Sequence, residues 1–368
     1  MRTERTFGLA VAGGGTGGHI FPGLAVAREF RRREPATRVL YLGAAGRLEE
    51  QVVPREGAGV RFHGLRVRGL KGQGPLGGIK ALALAARAVL ECRREIAMFG
   101  ADLLLGTGGY SSGPAAVAAR TLGIPVVLQE QNAVPGLTNR LLARLARKVF
   151  IAFEPASRHF PAGRTVLAGN PVRDEALGVG SEVGRGAGLR LLVLGGSQGA
   201  RGVNRLVTAA LPLLAAAGIA VSFVHQSGAA EREAVAAAYR DLDLSAEVAA
   251  FFDAMGEHYG AADLVIARAG AGTIAEIAAN GRPAILVPFP HAAGDHQRVN
   301  ARWLAERGGA VIIEEQTPNA HLELTRMITA LAGDRERLRA MARASAAVGV
   351  RDAAARIVDE CERMLGRS

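Results

Sequence analysis

Short apolar runs alternate with longer amphipathic stretches along this chain of 368 residues, and they do so twice. The first series contains Phe7 to Ala12, Val39 to Leu42, Asp102 to Leu105, Pro125 to Leu128 and Val149 to Ala152. After a glycine-rich stretch around Gly178 to Gly188 the pattern restarts with Leu191 to Leu194, Val221 to Val224, Leu264 to Ala267, Ala284 to Val287 and Val311 to Ile313. Strands that alternate with helices form parallel sheets through right-handed crossovers. The expected fold class is α/β, with two Rossmann-like, doubly wound parallel-sheet domains facing each other across a cleft. Their expected extents are 1–170 and 189–368, joined by a linker over 171–188, with the last helix free to pack back on the first domain.

Composition narrows the function. With 49% hydrophobic and 21% charged residues the chain can bury two cores, and its two cysteines, Cys92 and Cys361, cannot build a disulfide framework or a cysteine-rich zinc site. That cysteine usage fits a reducing, cytoplasmic setting. The longest apolar stretch without charge, Leu206 to Val224, is interrupted by Pro212 and Gly218, so it reads as helix, turn and strand and not as a membrane span. The apolar residues after Glu4 and Arg5 are too few for a signal peptide.

The net charge of +11 is unevenly placed: residues 1–170 hold 24 basic against 11 acidic side chains, and 171–368 hold 21 against 23. Nucleic acid is not the expected partner, because there is no basic tract interleaved with aromatics, only four Tyr and one Trp, and no zinc-finger spacing. An anionic membrane face or a pyrophosphate-bearing substrate satisfies the same charge.

The polar chemistry gathers at glycine-rich turns that follow strands. The first strand runs into Gly13-Gly14-Gly15-Thr16-Gly17-Gly18-His19, with a helix expected from about Pro22. Glycines there let backbone N–H groups approach an anion at a helix N-terminus. Positions 13, 15 and 18 also satisfy Gly-x-Gly-x-x-Gly, yet the second strand ends Leu42-Gly43-Ala44-Ala45 without the carboxylate that holds a dinucleotide's ribose. Similar turns occur at Gly106 to Gly113, at Gly195-Gly196-Ser197-Gln198-Gly199 and at Arg268 to Thr273, the last leading into a helix that carries Glu276, a candidate for ribose hydroxyls. No Walker pattern is present. Asp241-Leu242-Asp243 spells a metal-binding Asp-x-Asp but reads as a solvated helix terminus.

Together these residues resemble the GT-B glycosyltransferases of family 28. The likeness runs in order through Gly14 to His19 with Pro22-Gly23, Gly108-Gly109-Tyr110 with Ser112-Gly113-Pro114, Glu130-Gln131-Asn132 with Gly136 to Asn139, Gly169 to Arg173, Gly195 to Ala200, His225 to Gly228, Arg268 to Glu276 and His296-Gln297. Gln129, Ala269, Gly272 and His296 depart from the commonest family pattern.

The resemblance implies transfer of N-acetylglucosamine from UDP-GlcNAc to the C4 hydroxyl of undecaprenyl-pyrophosphoryl-MurNAc-pentapeptide (lipid I), with inversion and without metal or cofactor. It further implies that the Phe252 backbone reads uracil, that Glu276 holds the ribose, that Ser197 with Ala271, Gly272 and Thr273 holds the phosphates, and that Ile274 and Ala275 also belong to the UDP-GlcNAc site. Gln297 would meet the GlcNAc hydroxyls, and Thr16, Gly17, Gly18, Asn132 and Arg173 would complete the donor site. His19 is the expected general base, with Glu130 second. Lipid I would be met at the cytoplasmic face of the inner membrane, where Arg66, Arg68, Lys71, Lys80 and Arg87, beside Leu70, Leu76, Ile79, Leu82 and Leu84, suit peripheral attachment to anionic lipid. A UDP-GlcNAc 2-epimerase, another GT-B lipid glycosyltransferase and, outside enzymes, a UDP-sugar-binding membrane adaptor are the alternatives.

Overall fold

A computed structural model describes residues 6–56, 59–67, 75–179, 182–195 and 200–367, apart from the side chains of 56 and 75–83. The chain divides into two compact units, Met1–Val172 with Asp352–Ser368, and Arg173–Arg351.

The first unit holds strands β1 (Gly8–Gly13), β2 (Arg38–Ala44), β3 (Val60–Leu65), β4 (Leu103–Gly108), β5 (Val126–Glu130), β6 (Lys148–Ile151) and β7 (Thr165–Leu167), paired in the order β3-β2-β1-β4-β5-β6-β7. All pairings are parallel. Helices α1 (Gly17–Arg33), α2 (Leu48–Glu56), α3 (Pro75–Phe99), α4 (Ser112–Thr121) and α5 (Leu137–Leu142) make the crossovers. Successive side chains of a strand point to opposite faces. In β1, Leu9 and Val11 accordingly join the core containing Ile20 and Leu24 of α1. Ala10 and Ala12 join the other core, with Cys92 and Ile96 of α3 and Ala115 and Ala119 of α4. A strand covered on both faces is apolar throughout, which is why β1 reads as one run.

The second unit holds β8 (Leu189–Leu194), β9 (Val221–Gln226), β10 (Ala246–Ala249), β11 (Leu264–Ala267), β12 (Ala284–Leu286) and β13 (Ala310–Ile312), parallel and in the order β10-β9-β8-β11-β12-β13. Its helices are α6 (Arg201–Ala216), α7 (Arg232–Arg240), α8 (Met255–Ala261), α9 (Ala271–Ala279), α10 (His296–Glu306), α11 (Ala320–Gly333) and α12 (Arg335–Val348). The segment 206–224 is the end of α6, a turn at Gly218 with φ +63° and the start of β9, and α6 continues through Pro212. α7 stops at Arg240, leaving Asp241 and Asp243 exposed in the turn beyond it.

From Arg173 onward, the described part of the stretch 171–188 belongs to the second unit and is fastened to it. Gly178 donates its N–H to Asn280 Oδ1 at 2.8 Å, Gly184 donates to Asp263 Oδ1 at 2.8 Å, and Val183 is buried in the core with Leu189. The final helix, α13 (Ala353–Leu365), belongs to the first unit and lies on α1. Ile357, Val358 and Cys361 enter the core with Phe7 and Phe30, while Arg33 pairs with Asp359 at 2.6 Å and Glu362 at 2.8 Å.

Candidate active site

In an open doubly wound sheet, ligands bind at the carboxyl ends of the strands where the order reverses. In the first unit that point lies between β1 and β4, whose ends carry the turns at Gly13–Gly15 and Gly108–Gly109. The two turns touch, and this contact requires glycine. Gly109, at φ +82°, would drive a Cβ into the Gly14 carbonyl oxygen, and a Cβ on Gly14 would strike the carboxylate of Glu49. Glu49, fully buried, accepts the N–H of Gly15 at 3.1 Å and of Ala44 at 2.9 Å. Ser112 ties the same ends together, donating to the Ala12 carbonyl at 2.6 Å and accepting from Gly108 N at 3.0 Å.

Helix α1 begins at Gly17, not near Pro22, which falls in its second turn. A proline this close to a helix start forfeits a single hydrogen bond, and the glycines take helical angles readily once the turn is pinned. Thr16 occupies the N-cap position without a side-chain cap, and Thr16 and Gly18 are exposed while Gly17 is partly so. The N–H groups of this first turn thus face a solvent-accessible, partially positive helix end.

His19 stands at the mouth of this turn. Its Nδ1 is 3.0 Å from the Gly14 carbonyl oxygen and 3.4 Å from Thr16 Oγ1. A carbonyl only accepts, so Nδ1 carries the hydrogen and Nε2 keeps its lone pair. That Nε2 lies along Gly108, where an added Cβ would come within 3.1 Å of it.

Glu130 ends β5 and is 1% exposed. Its Oε1 accepts from Asn132 N at 2.9 Å, and its Oε2 accepts from Asn139 Nδ2 at 2.9 Å and Gly136 N at 3.3 Å. Burial pushes its carboxyl above the usual carboxylate range, and the donors from Asn132, Asn139 and Gly136 work against that rise. With both oxygens occupied, Glu130 organises the loop that carries Asn132. Gln129, the departure from the family pattern, donates Nε2 to Asn170 Oδ1 at 3.0 Å and bonds the Gln131 side chain.

In the second unit the order reverses between β8 and β11. The turn after β8, including Ser197, lies outside the described residues. The turn after β11 leads into α9, whose N-cap residue Gly270 has no side chain to cap the N–H groups of Ala271, Gly272 and Thr273. Ile274 N is bonded to the Gly270 carbonyl at 2.9 Å, and Ala275 is half-buried.

One turn on, Glu276 Oε2 accepts the Tyr259 hydroxyl at 3.0 Å. Burial raises the Glu276 carboxyl above its ordinary value, while the Arg173 cation and the Tyr259 hydroxyl pull it down. Arg173 is held nearby because Asn280 clamps the residues that follow it: Nδ2 donates to the Ala176 carbonyl at 2.8 Å, and Oδ1 accepts from Gly178 N at 2.8 Å. The Phe252 N–H is donated to Gln226 Oε1 at 3.2 Å, so within the protein this backbone donor is already engaged. Gln297 Oε1 accepts Phe289 N at 2.9 Å, which leaves its NH2 as the outward group.

Sequence reading missed Glu49, Tyr259, Asn280 and Gln226 as supports of these turns. Gln226 stands in the quoted His225 to Gly228 run, but nothing local links Glu49 to Gly15 or Tyr259 to Glu276.

Of the basic and apolar residues expected at a membrane, Arg66, Leu84 and Arg87 have described side chains and are exposed; Arg68, Leu70, Lys71, Leu76, Ile79, Lys80 and Leu82 lie outside the described side chains. α3 buries Ala88, Cys92 and Ile96 against the sheet, with Leu90 left 67% exposed. Arg66, Arg87, Leu90 and Arg94 line a surface cavity of about 550 Å³ together with His63 and Glu91. Among the described residues no helix is long and apolar enough to cross a membrane.

Two parallel-sheet units, each with helices on both faces and glycine turns at its reversal point, define the GT-B fold. Residues 9–151 match the glycosyltransferase family 28 N-terminal domain and residues 190–357 match the family 28 C-terminal domain. The chain belongs to glycosyltransferase family 28. It is 43% identical over 357 residues to the UDP-N-acetylglucosamine--N-acetylmuramyl-(pentapeptide) pyrophosphoryl-undecaprenol N-acetylglucosamine transferase of Geobacter sulfurreducens, covering 96% of this chain and 97% of that one. The crystal structure of MurG from Acinetobacter baumannii is 32% identical, with a TM-score of 0.80 over 98% of this chain and 100% of that chain. A UDP-N-acetylglucosamine 2-epimerase structure superimposes with a TM-score of 0.65 at 12% identity over 99% of this chain and 98% of that chain, a likeness of fold alone.

Proposed function

We propose that this chain transfers N-acetylglucosamine from UDP-GlcNAc to the C4 hydroxyl of undecaprenyl-pyrophosphoryl-MurNAc-pentapeptide in a single inverting displacement. The acceptor oxygen forms its bond to the sugar's C1 as the C1–oxygen bond to UDP breaks, and the acceptor proton passes to His19 Nε2. The observation that carries this assignment is the placement of His19 at the first glycine turn: a carbonyl at 3.0 Å from Nδ1 puts the hydrogen of the neutral ring there and the basic lone pair on Nε2. Glu130 acts as a positioning residue through Asn132.

The second unit holds the donor. Glu276 binds ribose, the α9 N-terminus from Ala271 to Thr273 with Ser197 takes the diphosphate, Ile274 and Ala275 lie beside it in the donor site, Phe252 lies at uracil, and Gln297 at the sugar. Thr16, Gly17, Gly18, Asn132 and Arg173 complete the donor contacts. Charge developing on the departing diphosphate is stabilised by backbone N–H groups and arginine, so no metal and no cofactor is called for. The basic and apolar surface around Arg66 and Arg87 attaches the enzyme peripherally to the anionic cytoplasmic face of the inner membrane. Nucleic acid is no partner in this scheme.

Incubation with labelled UDP-GlcNAc and a lipid I analogue, in buffer with excess EDTA, tests the proposal. Label should move to the lipid fraction at an undiminished rate. Formation of free UDP-ManNAc without acceptor would point to the epimerase, and activity recovered only on adding manganese would overturn the metal-free mechanism.

A further inference from the structure

Two adjacent carboxylates, Glu314 and Glu315, follow β13, and each takes an arginine from a different element of the second unit. Glu315 Oε2 lies 2.8 Å from Nη2 of Arg268, the residue between β11 and the turn that opens α9. Arg268 reaches further. Its Nη1 donates to the Val287 carbonyl at 3.2 Å and the Pro288 carbonyl at 3.3 Å, and its guanidinium lies 5.4 Å from the centre of the Phe289 ring. The loop after β12 is thus gripped just before Phe289, whose N–H is the one given to Gln297 Oε1 at 2.9 Å. Glu314 holds Arg298, the residue after Gln297, at 3.0 Å. Room for the inner pair comes from Gly202 in the first turn of α6, where a Cβ would run into the Glu315 carboxylate and come within 2.5 Å of Arg268 Nη2.

An arginine beside an anion-binding turn invites the role of phosphate ligand. Here both terminal nitrogens of Arg268 are engaged on protein acceptors, and its charge is met by Glu315. We infer that the Arg268–Glu315 pair is a positioning element for the donor sugar: Glu315 orients Arg268, Arg268 holds the loop after β12, and that loop fixes the Gln297 amide so that its NH2 points at the GlcNAc hydroxyls. The inference rests on the reading that Gln297 meets the sugar, and adds what keeps it aimed. The inner pair carries more of this than the outer one, because its side chains are 14% and 15% exposed against 36% and 37% for Arg298 and Glu314, and breaking a desolvated pair costs more than breaking a solvated one.

The test is equilibrium binding of UDP and of UDP-GlcNAc to the full chain. Arg268→Gln and Glu315→Ala should each weaken UDP-GlcNAc by roughly tenfold, the scale of one hydrogen bond, and leave UDP within about a factor of two. The double variant should be no worse than either single one, since the two side chains act as a unit. Glu315→Gln, which keeps an oxygen for Arg268 Nη2, should recover part of the loss. A phosphate ligand would behave with other signs. Arg268→Gln would then weaken UDP as much as UDP-GlcNAc, and Glu315→Ala, by releasing the cation, would tighten both; either pattern overturns the inference. Gln297→Ala separates the inference from the reading beneath it. If that variant weakens UDP-GlcNAc while the variants of the pair do not, the pair has no part in holding the sugar. If it leaves UDP-GlcNAc untouched, the sugar site itself is misplaced and the inference falls with it. Should a single variant fail to fold, the double one, which leaves no charge unpaired in the interior, decides, and unchanged UDP-GlcNAc binding there overturns the role of the pair.

Discussion

The carboxylate of Glu49 and the backbone N–H of Gly15 lie 3.1 Å apart across 34 residues of sequence, and that bond with the companion one to Ala44 seats the first glycine turn on the second strand. Glu49→Ala leaves the buried Ala44 amide and the Gly15 amide at the turn without their acceptor, so we expect a loss of about 2 kcal/mol in urea unfolding, with a larger proportional loss of transfer activity. Glu49→Gln retains one carbonyl acceptor and should cost less on both measures. Equal losses in the two variants would show that the turn does not depend on this acceptor.

His19→Ala should reduce kcat by about a hundredfold or more while UDP binding, measured calorimetrically, stays within a factor of two. Gly108→Ala should imitate it by crowding the imidazole, since a Cβ at φ +104° comes within 3.1 Å of Nε2. Near-normal kcat in His19→Ala removes it as the base.

Glu276 offers a pH test. Burial raises its carboxyl, so it takes up a proton at a higher pH than an exposed carboxylate does, and the folded state holds that proton more firmly than the unfolded chain. Its charge therefore costs stability at neutral pH, and acidification relieves the cost. UDP affinity should move the other way, falling as the pH drops through the raised value, because ribose needs the ionised acceptor. Glu276→Gln should be at least as stable as the wild type, bind UDP more weakly at pH 7 and lose the pH dependence. Tyr259→Phe, which removes the hydroxyl at 3.0 Å, should shift the fall in affinity to higher pH.

His225 governs acid stability in the second unit. It is wholly buried between Tyr239 and Asn204, at 3.0 Å from each, and desolvation lowers it to about 4. The unfolded chain, with histidine near about 6.5, binds the extra proton between these values, so stability is full above about 6.5 and is lost as pH falls toward about 4, by up to about 3 kcal/mol. Chemical denaturation at pH 7 and pH 4.5 should show the fall in the wild type and a smaller one in His225→Gln.

Vesicles rich in anionic lipid should retain the chain at low salt and release it at high salt, and Arg66→Glu with Arg87→Glu should abolish retention. Failure of the wild type to sediment with such vesicles would remove this surface from the proposal.

The fold was legible wherever a strand is covered on both faces. β1, β4, β8 and β11 lie inside their sheets and carry continuous apolar runs, Leu9 to Ala12, Leu103 to Leu105, Leu191 to Leu194 and Leu264 to Ala267, so their ends and the turns after them could be read directly. β3, β7 and β10 were not foreseen, and each is a sheet edge, paired on one side only and partly exposed. Their sequences, VRFHGL, TVL and AEVA, carry no apolar run because edge strands have less to bury. The residues at the turns were visible as glycines and polar groups after strands, but their anchors were not. Glu49 reaches Gly15 across 34 positions and Tyr259 reaches Glu276 across 17, pairings that only the crossover topology brings together.

The return of α13 to the first unit has a practical corollary. A gene divided after Val172 yields an amino-terminal fragment that lacks Ile357, Val358 and Cys361 and bares the apolar flank of α1, so it should aggregate unless residues 352–368 are supplied in trans or grafted on through a short loop. The fragment 173–351, by contrast, contains every strand and helix of its own core.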